Sequence, residues 1–136
     1  MPIGDVLLET EDAPHRNTDR SRQLGTLLDK MAEQYERVIV DMPRRMDPYT
    51  EAVLERADRL VLVVQQTVSH LRDAARMLQI CGHYGLKNEQ ILAVVNRFEK
   101  SSPVGMEDVR RAMGEVQVVS IPSDFKIVSE SINLGV

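Results

Sequence analysis

The sequence has one cysteine, Cys81, among 136 residues, so no internal disulfide can form. That fits a reducing compartment. No apolar run approaches the ~20 residues of a membrane span. The start, MPIGDVLLETED, has neither the basic opening nor the long apolar stretch of a secretion signal. The expected location is therefore the cytoplasm. A basic excess is also lacking. Seventeen Lys and Arg face 21 Asp and Glu, for a net charge of -4, which argues against a nucleic-acid partner. His15, His70 and His83 stand at no metal-ligand spacing, and neither internal repeats nor low-complexity segments occur. What remains is an ordinary globular balance, 43% hydrophobic and 28% charged, long enough for one domain with a core and too short for two.

Along the chain, apolar runs alternate with helical patterns. DVLLET (Asp5 to Thr10) is a short strand candidate, and APHRNTD reads as a polar loop. Thr18 or Asp19 is placed to cap a helix carrying Leu24, Leu27, Leu28 and Met31 at helical spacing. RVIVDMP (Arg37 to Pro43) reads as a strand with an abrupt end. Asp47 followed by Pro48 is an entry signal for the next helix. DRLVLVVQQ (Asp58 to Gln66) and QILAVVNRF (Gln90 to Phe98) are continuous apolar strands. Between them lies an amphipathic helix with Ser69 as expected cap and Gly82 or Gly85 as closure. Cys81 joins Met77 and Leu78 on that helix's apolar face. GMEDVRRAMG, EVQVVSIPSD and FKIVSESINLG supply a short helix, a strand ending in a proline turn, and a last helix.

The order is β-α repeated, and the central strands are continuous runs, predicted to be buried on both faces. That is the pattern of an α/β fold, a parallel sheet flanked by helices. Ligands of such sheets sit beyond the carboxyl ends of the strands. The residues to interrogate are Asp41-Met42-Pro43, Gln65-Gln66-Thr67, Asn96-Arg97 and Pro122-Ser123-Asp124. An acid closing a buried strand, as Asp41 does, suits a magnesium ion held through water, and equally suits a plain helix cap. Asn96 offers both a donor and an acceptor, the combination that reads a purine edge. Pro122 and Asp124 suit a turn whose backbone meets a base, or a turn alone. Arg44 and Arg45 suit a phosphate or partner contact, or a solvated loop.

As an ordered set, YERVIVDMPRRMDPYTEAVLERADRLVLVVQQTVSHLRDAARMLQI, ILAVVNRFEK and VQVVSIPSDFKIVSESINLG resemble the MinD/ParA class of P-loop ATPases. Within it they are most similar to the TadZ/CpaE-type proteins of Flp (tad) pilus assembly. The resemblance covers roughly residues 5–136. It implies a P-loop NTPase-like parallel sheet with ATP and magnesium as cofactors. Asp41 would take the Walker B role, serving magnesium indirectly and the attacking water. Met42, Pro43, Arg44 and Arg45 would lie in a switch region. Asn96, Arg97, Pro122 and Asp124 would line the adenine side. It also implies a homodimer working with pilus or secretion machinery, without nucleic acid, reaching the membrane or cell pole only through partners.

One defining part of that family is missing. None of the glycines at 4, 25, 82, 85, 105, 114 and 135 opens a G-x-x-x-x-G-K-S/T run, and the lysine of that loop is missing with it. The chain thus reads as the second part of such a domain, incomplete at its N-terminus. Each charge-assisted phosphate contact is worth about 1.5–3 kcal/mol. Losing several leaves no ATP hydrolysis expected from this chain alone, and a scaffolding or localising role. Two alternatives compete: a ParA/MinD-like ATPase portion for partitioning or septum positioning, and a phospho-receiver-like signalling module. The second is disfavoured because ILAVVNRF presents asparagine where a receiver needs lysine. The span from Glu11 to Asp41 also leaves no room for the intervening strand.

Overall fold

Residues 13–135 are described by the computed structural model, with side chains from residue 19 onward. The strand predicted over Asp5 to Thr10 lies outside them. The described residues fall into two compact units divided between Ala57 and Asp58.

In the first unit, α1 spans Ala13–Gln34 and α2 spans Pro48–Leu54. The helix α1 begins earlier than the sequence suggests, and Thr18 and Asp19 lie inside it rather than at its cap. The predicted loop at Ala13 to Asp19 is helical because Pro14 falls in the first turn. There a missing N–H is no loss and the fixed φ is already helical. Gly25 is buried on α1, and a Cβ there would lie 2.7 Å from Cζ of Arg56. That guanidinium donates to Asp29 Oδ1 at 2.9 Å and to the Ala52 carbonyl at 3.1 Å, which ties α1 to α2. The entry signal at Asp47 and Pro48 is realised. The Asp47 carboxylate accepts from the Tyr49 and Thr50 amides at 3.1 and 2.9 Å, and Pro48 opens the helix. The Thr50 amide foremost, then its hydroxyl and Arg45, hold the Asp47 carboxyl below its ordinary value, against a smaller opposing push from desolvation.

The segment Arg37 to Pro43 corrects the sequence reading. Among the described residues it pairs with no strand, and Ile39 is 94% exposed. Apolar β-branched residues make a strand only where a neighbour completes the hydrogen-bond ladder.

The second unit is a three-stranded parallel sheet in the order β1-β2-β3. Its strands are β1 Leu60–Val64, β2 Ile91–Phe98 and β3 Gln117–Pro122. Helix α3 (Val68–His83) joins β1 to β2 through a short 3-10 turn at Asn88–Gln90. Helix α4 (Met106–Met113) joins β2 to β3, and α5 (Phe125–Leu134) follows. The pairing puts Leu62, Ala93 and Val118 in one row and Val64, Val95 and Ser120 in the next. These rows share a face, and α3 and α4 pack against the sheet and each other. Ala93, Val95, Val109 and Cys81 are fully buried in this unit. The prediction of a sheet covered on both faces fails at its two outer strands. Val61 and Val63, in register with Leu92 and Val94 on the other face, are 57% and 60% exposed. Val119 and Ile121 continue that open face on β3.

The caps explain where α3 starts and stops. Its cap is Thr67, two residues before the expected Ser69, and the Thr67 hydroxyl accepts from the His70 amide at 3.3 Å. Gly85, not Gly82, closes it. At φ +83° it lets its own amide reach the Gly82 carbonyl and the Leu86 amide reach Cys81, both at 3.1 Å. That is the glycine-dependent stop described for helix ends, with buried Leu86 as its apolar contact.

Candidate functional site

The carboxyl ends of the three parallel strands bring together most of the residues singled out in the second unit. At the end of β2 the ladder breaks. Val95 pairs with Ser120 and Phe98 with Pro122, so three steps on β2 match two on β3. The extra residue is a β-bulge at Asn96 and Arg97. Arg97 absorbs it with φ +53°, the left-handed region, as the one non-glycine residue there among those described. The Asn96 side-chain oxygen accepts from the Arg97 amide at 3.0 Å and steadies the turn.

The β3 end is tied to this bulge. The Ser123 amide donates to the Phe98 carbonyl at 3.0 Å, so the turn Pro122 to Asp124 sits against the residues just past Asn96 and Arg97. Asp124 already has work in that turn: its carboxylate accepts from the Ile127 amide at 3.0 Å and caps α5.

The β1 end contributes a residue that sequence reasoning placed but gave no role. The Gln66 amide donates to the carbonyls of Glu99 and Val104 at 3.2 and 2.9 Å, and accepts from the Glu99 amide at 2.7 Å. One side chain thus holds both ends of the loop that follows the bulge. At the opposite end of the sheet another glutamine acts likewise. Gln90 donates to the Asp58 carbonyl at 3.2 Å and accepts from the Lys87 amide at 3.0 Å. The sequence shows both glutamines at strand ends, but not their partners.

The first-unit candidates are described separately. Asp41 lies on the unpaired segment Arg37 to Pro43 and is exposed, as are Pro43, Arg44 and Arg45, with Met42 half-buried. The Arg45 amide donates to the Pro43 carbonyl at 2.8 Å, and its guanidinium pairs with Asp47 at 2.6 Å.

The chemistry of these groups fits one side of a nucleotide better than the other. An amide oxygen has two lone pairs, so Asn96 keeps one acceptor position and two donors beyond its bond to Arg97. That suits a base edge at the carboxyl end of a parallel sheet. The phosphate side does not fit, since no glycine-rich loop with its lysine exists in the chain.

Comparison with known proteins places the fold. Residues 1–122 match the family described as "Cellulose biosynthesis protein BcsQ". The chain belongs to the BcsQ family. It is also similar to septum site-determining MinD proteins. The likeness to that of Thermotoga maritima is 20% identity over 118 residues, covering 83% of this chain and 43% of the relative. For a MinD-type protein of Emiliania huxleyi it is 20% over 114 residues, 80% of this chain and 41% of the relative. Among solved structures, a ParA family ATPase from Chlorobium tepidum TLS superposes with a TM-score of 0.73 at 25% identity. That match covers 85% of this chain and 48% of the other. The fold is therefore MinD/ParA-like, of the P-loop NTPase type, and this BcsQ-family chain spans less than half the length of each relative. Among its described residues, no helix is long and apolar enough to cross a membrane.

The bulge itself yields an expected result. The left-handed conformation costs an ordinary residue about 1–2 kcal/mol, more for a β-branched one. Arg97→Val is expected to lower stability by about 1–2 kcal/mol in urea denaturation, while Arg97→Gly leaves it level or slightly raised. Equal losses from both would mean that the Arg97 side chain, not its backbone, stabilises the bulge.

Proposed function

We propose that this chain is the base-recognising portion of a MinD/ParA-like ATPase that positions a larger assembly in the cell. The observation that carries the reading is the pinned bulge. Phe98, directly after Asn96 and Arg97, is bonded to the Pro122 to Asp124 turn, at the carboxyl end of a sheet similar to that of a ParA family ATPase. Asn96, Arg97, Pro122 and Asp124 would border the adenine. Asp41 would serve as the Walker B acid, acting on magnesium through water, with Met42 to Arg45 as the switch. A bound Mg-ATP would supply the phosphoryl chemistry. This chain's part is to orient the base and to offer the Asp41 carboxylate to hydrated magnesium, and no hydrolytic step is assigned to it alone.

The names of the family and the relatives speak of cellulose biosynthesis and of septum site determination. A positioning role suits this chain in the cytoplasm, with dimeric pairing and envelope-machinery partners. Membrane or polar association would come through those partners. The finer form of the proposal is Flp pilus assembly of the TadZ/CpaE type. It is favoured by the DMPR run at Asp41 and the LRDAARML run at Leu71.

The deciding experiment is calorimetric titration of Mg-ATP into this chain and into a version extended upstream through a phosphate-binding loop. The extended protein should bind ATP, and lose that affinity on Asn96→Ala, while the 136-residue chain gives neither heat nor turnover. Tight binding by the shorter chain, or no effect of Asn96→Ala in the longer one, would overturn the assignment.

A further inference from the structure

Val64 and Val95 are the last backbone partners of β1 and β2. Beyond them β1 turns through Gln65 and Gln66 into Thr67, the cap of α3, while β2 runs on through the bulge. There the half-buried Gln66 continues the ladder with its side chain. Its amide accepts from the Glu99 N–H at 2.7 Å and donates to the Glu99 carbonyl at 3.2 Å. Those are the two bonds that a residue of a neighbouring strand would exchange with Glu99. The further bond to the Val104 carbonyl, at 2.9 Å, fastens the residue just before Gly105, the cap of α4.

The bulge at Asn96 and Arg97 is therefore gripped from both sides. Towards β3, the Ser123 amide donates to the Phe98 carbonyl at 3.0 Å. Towards β1, Gln66 holds Glu99, the next residue. Between these anchors Arg97 keeps its φ of +53°. A residue stays in so sparsely populated a conformation only where its surroundings over-determine it. The Arg97 amide in turn fixes the Asn96 side chain through its bond to the amide oxygen at 3.0 Å. Asn96 is thus oriented before any ligand arrives, and a ligand that meets it loses less in ordering it.

We infer that Gln66 is a positioning residue for base recognition. It acts through Asn96 rather than on the base, by holding the far end of the bulge. The inference rests on the reading of Asn96 as a base contact. It adds the end of β1 to a site otherwise built from the ends of β2 and β3.

Calorimetric titration of Mg-ATP, and of inorganic triphosphate with magnesium, into the upstream-extended protein tests it. Triphosphate carries the phosphates without a base. Gln66→Ala should weaken Mg-ATP about tenfold, the worth of one strong net hydrogen bond, and leave triphosphate unchanged. Unchanged triphosphate binding also shows that the variant is folded. In an Asn96→Ala background, Gln66→Ala should cost no further affinity, because residues that act through one another are not additive. Equal losses for both ligands would leave Gln66 a stabilising role alone and overturn the inference. Losses that add in the double variant would overturn it too. If Gln66→Ala is silent while Asn96→Ala weakens ATP, the base-site reading stands and only the role of Gln66 falls. If Asn96→Ala is silent as well, or the extended wild type binds no ATP, both fall.

Discussion

Val95→Asp is expected to abolish folding of the unit from Asp58 onward. Val95 is fully buried in the middle strand, in the row with Val64 and Ser120 on the helix-covered face. An uncompensated carboxylate there costs several kcal/mol whether it ionises or is forced to hold a proton. A domain's whole margin is about 5–15 kcal/mol. Val95→Ala, which removes two methyl groups without adding charge, should cost only about 2 kcal/mol. Far-UV circular dichroism and urea melts of the two variants separate these outcomes. A cooperative native-like melt for Val95→Asp would show that the row is not the core.

The second large effect is expected at Gln66. Removing its amide leaves the Glu99 amide and the Val104 carbonyl without their partner, while the Glu99 carbonyl keeps the Ser102 amide at 3.2 Å. Net values near 1 kcal/mol per bond, reduced because water can reach part of the loop, give about 1–3 kcal/mol for Gln66→Ala. Gln66→Glu should be worse. It keeps the acceptor for the Glu99 amide but sets a carboxylate against the Val104 and Glu99 carbonyls, acceptor against acceptor. Hydrogen exchange of the Glu99 amide reports the same event locally and should speed up in both variants. Protection unchanged in Gln66→Glu would mean the loop is held by something other than this amide.

Much of the second unit was legible because its signals are local or periodic. β1, β2 and β3 are largely apolar runs, and Gly85 marks the end of α3 through backbone chemistry alone, as the Asp47-Pro48 pair marks the start of α2 in the first unit. The parallel fold followed from the alternation of elements. Three features were not legible, each for a physical reason. Arg37 to Pro43 has strand composition, but composition does not supply a neighbour. Helix α1 starts early because one proline is compatible with a first turn. The Arg97 conformation is carried by a residue with no glycine-like signature, and only the mismatch with β3 reveals it. Gln66 was visible at a strand end, yet its partners are backbone groups more than thirty positions away. No pattern of residue types encodes such a contact.

Cys81 is packed on α3 with no accessible surface, and its burial pushes the thiol up from its ordinary value. Thiolate is the reactive form, so the native thiol is chemically silent while this unit is folded. A cysteine introduced at an exposed position such as 63 or 97 would then be the sole attachment point for a fluorophore or spin label, with the wild-type core left untouched.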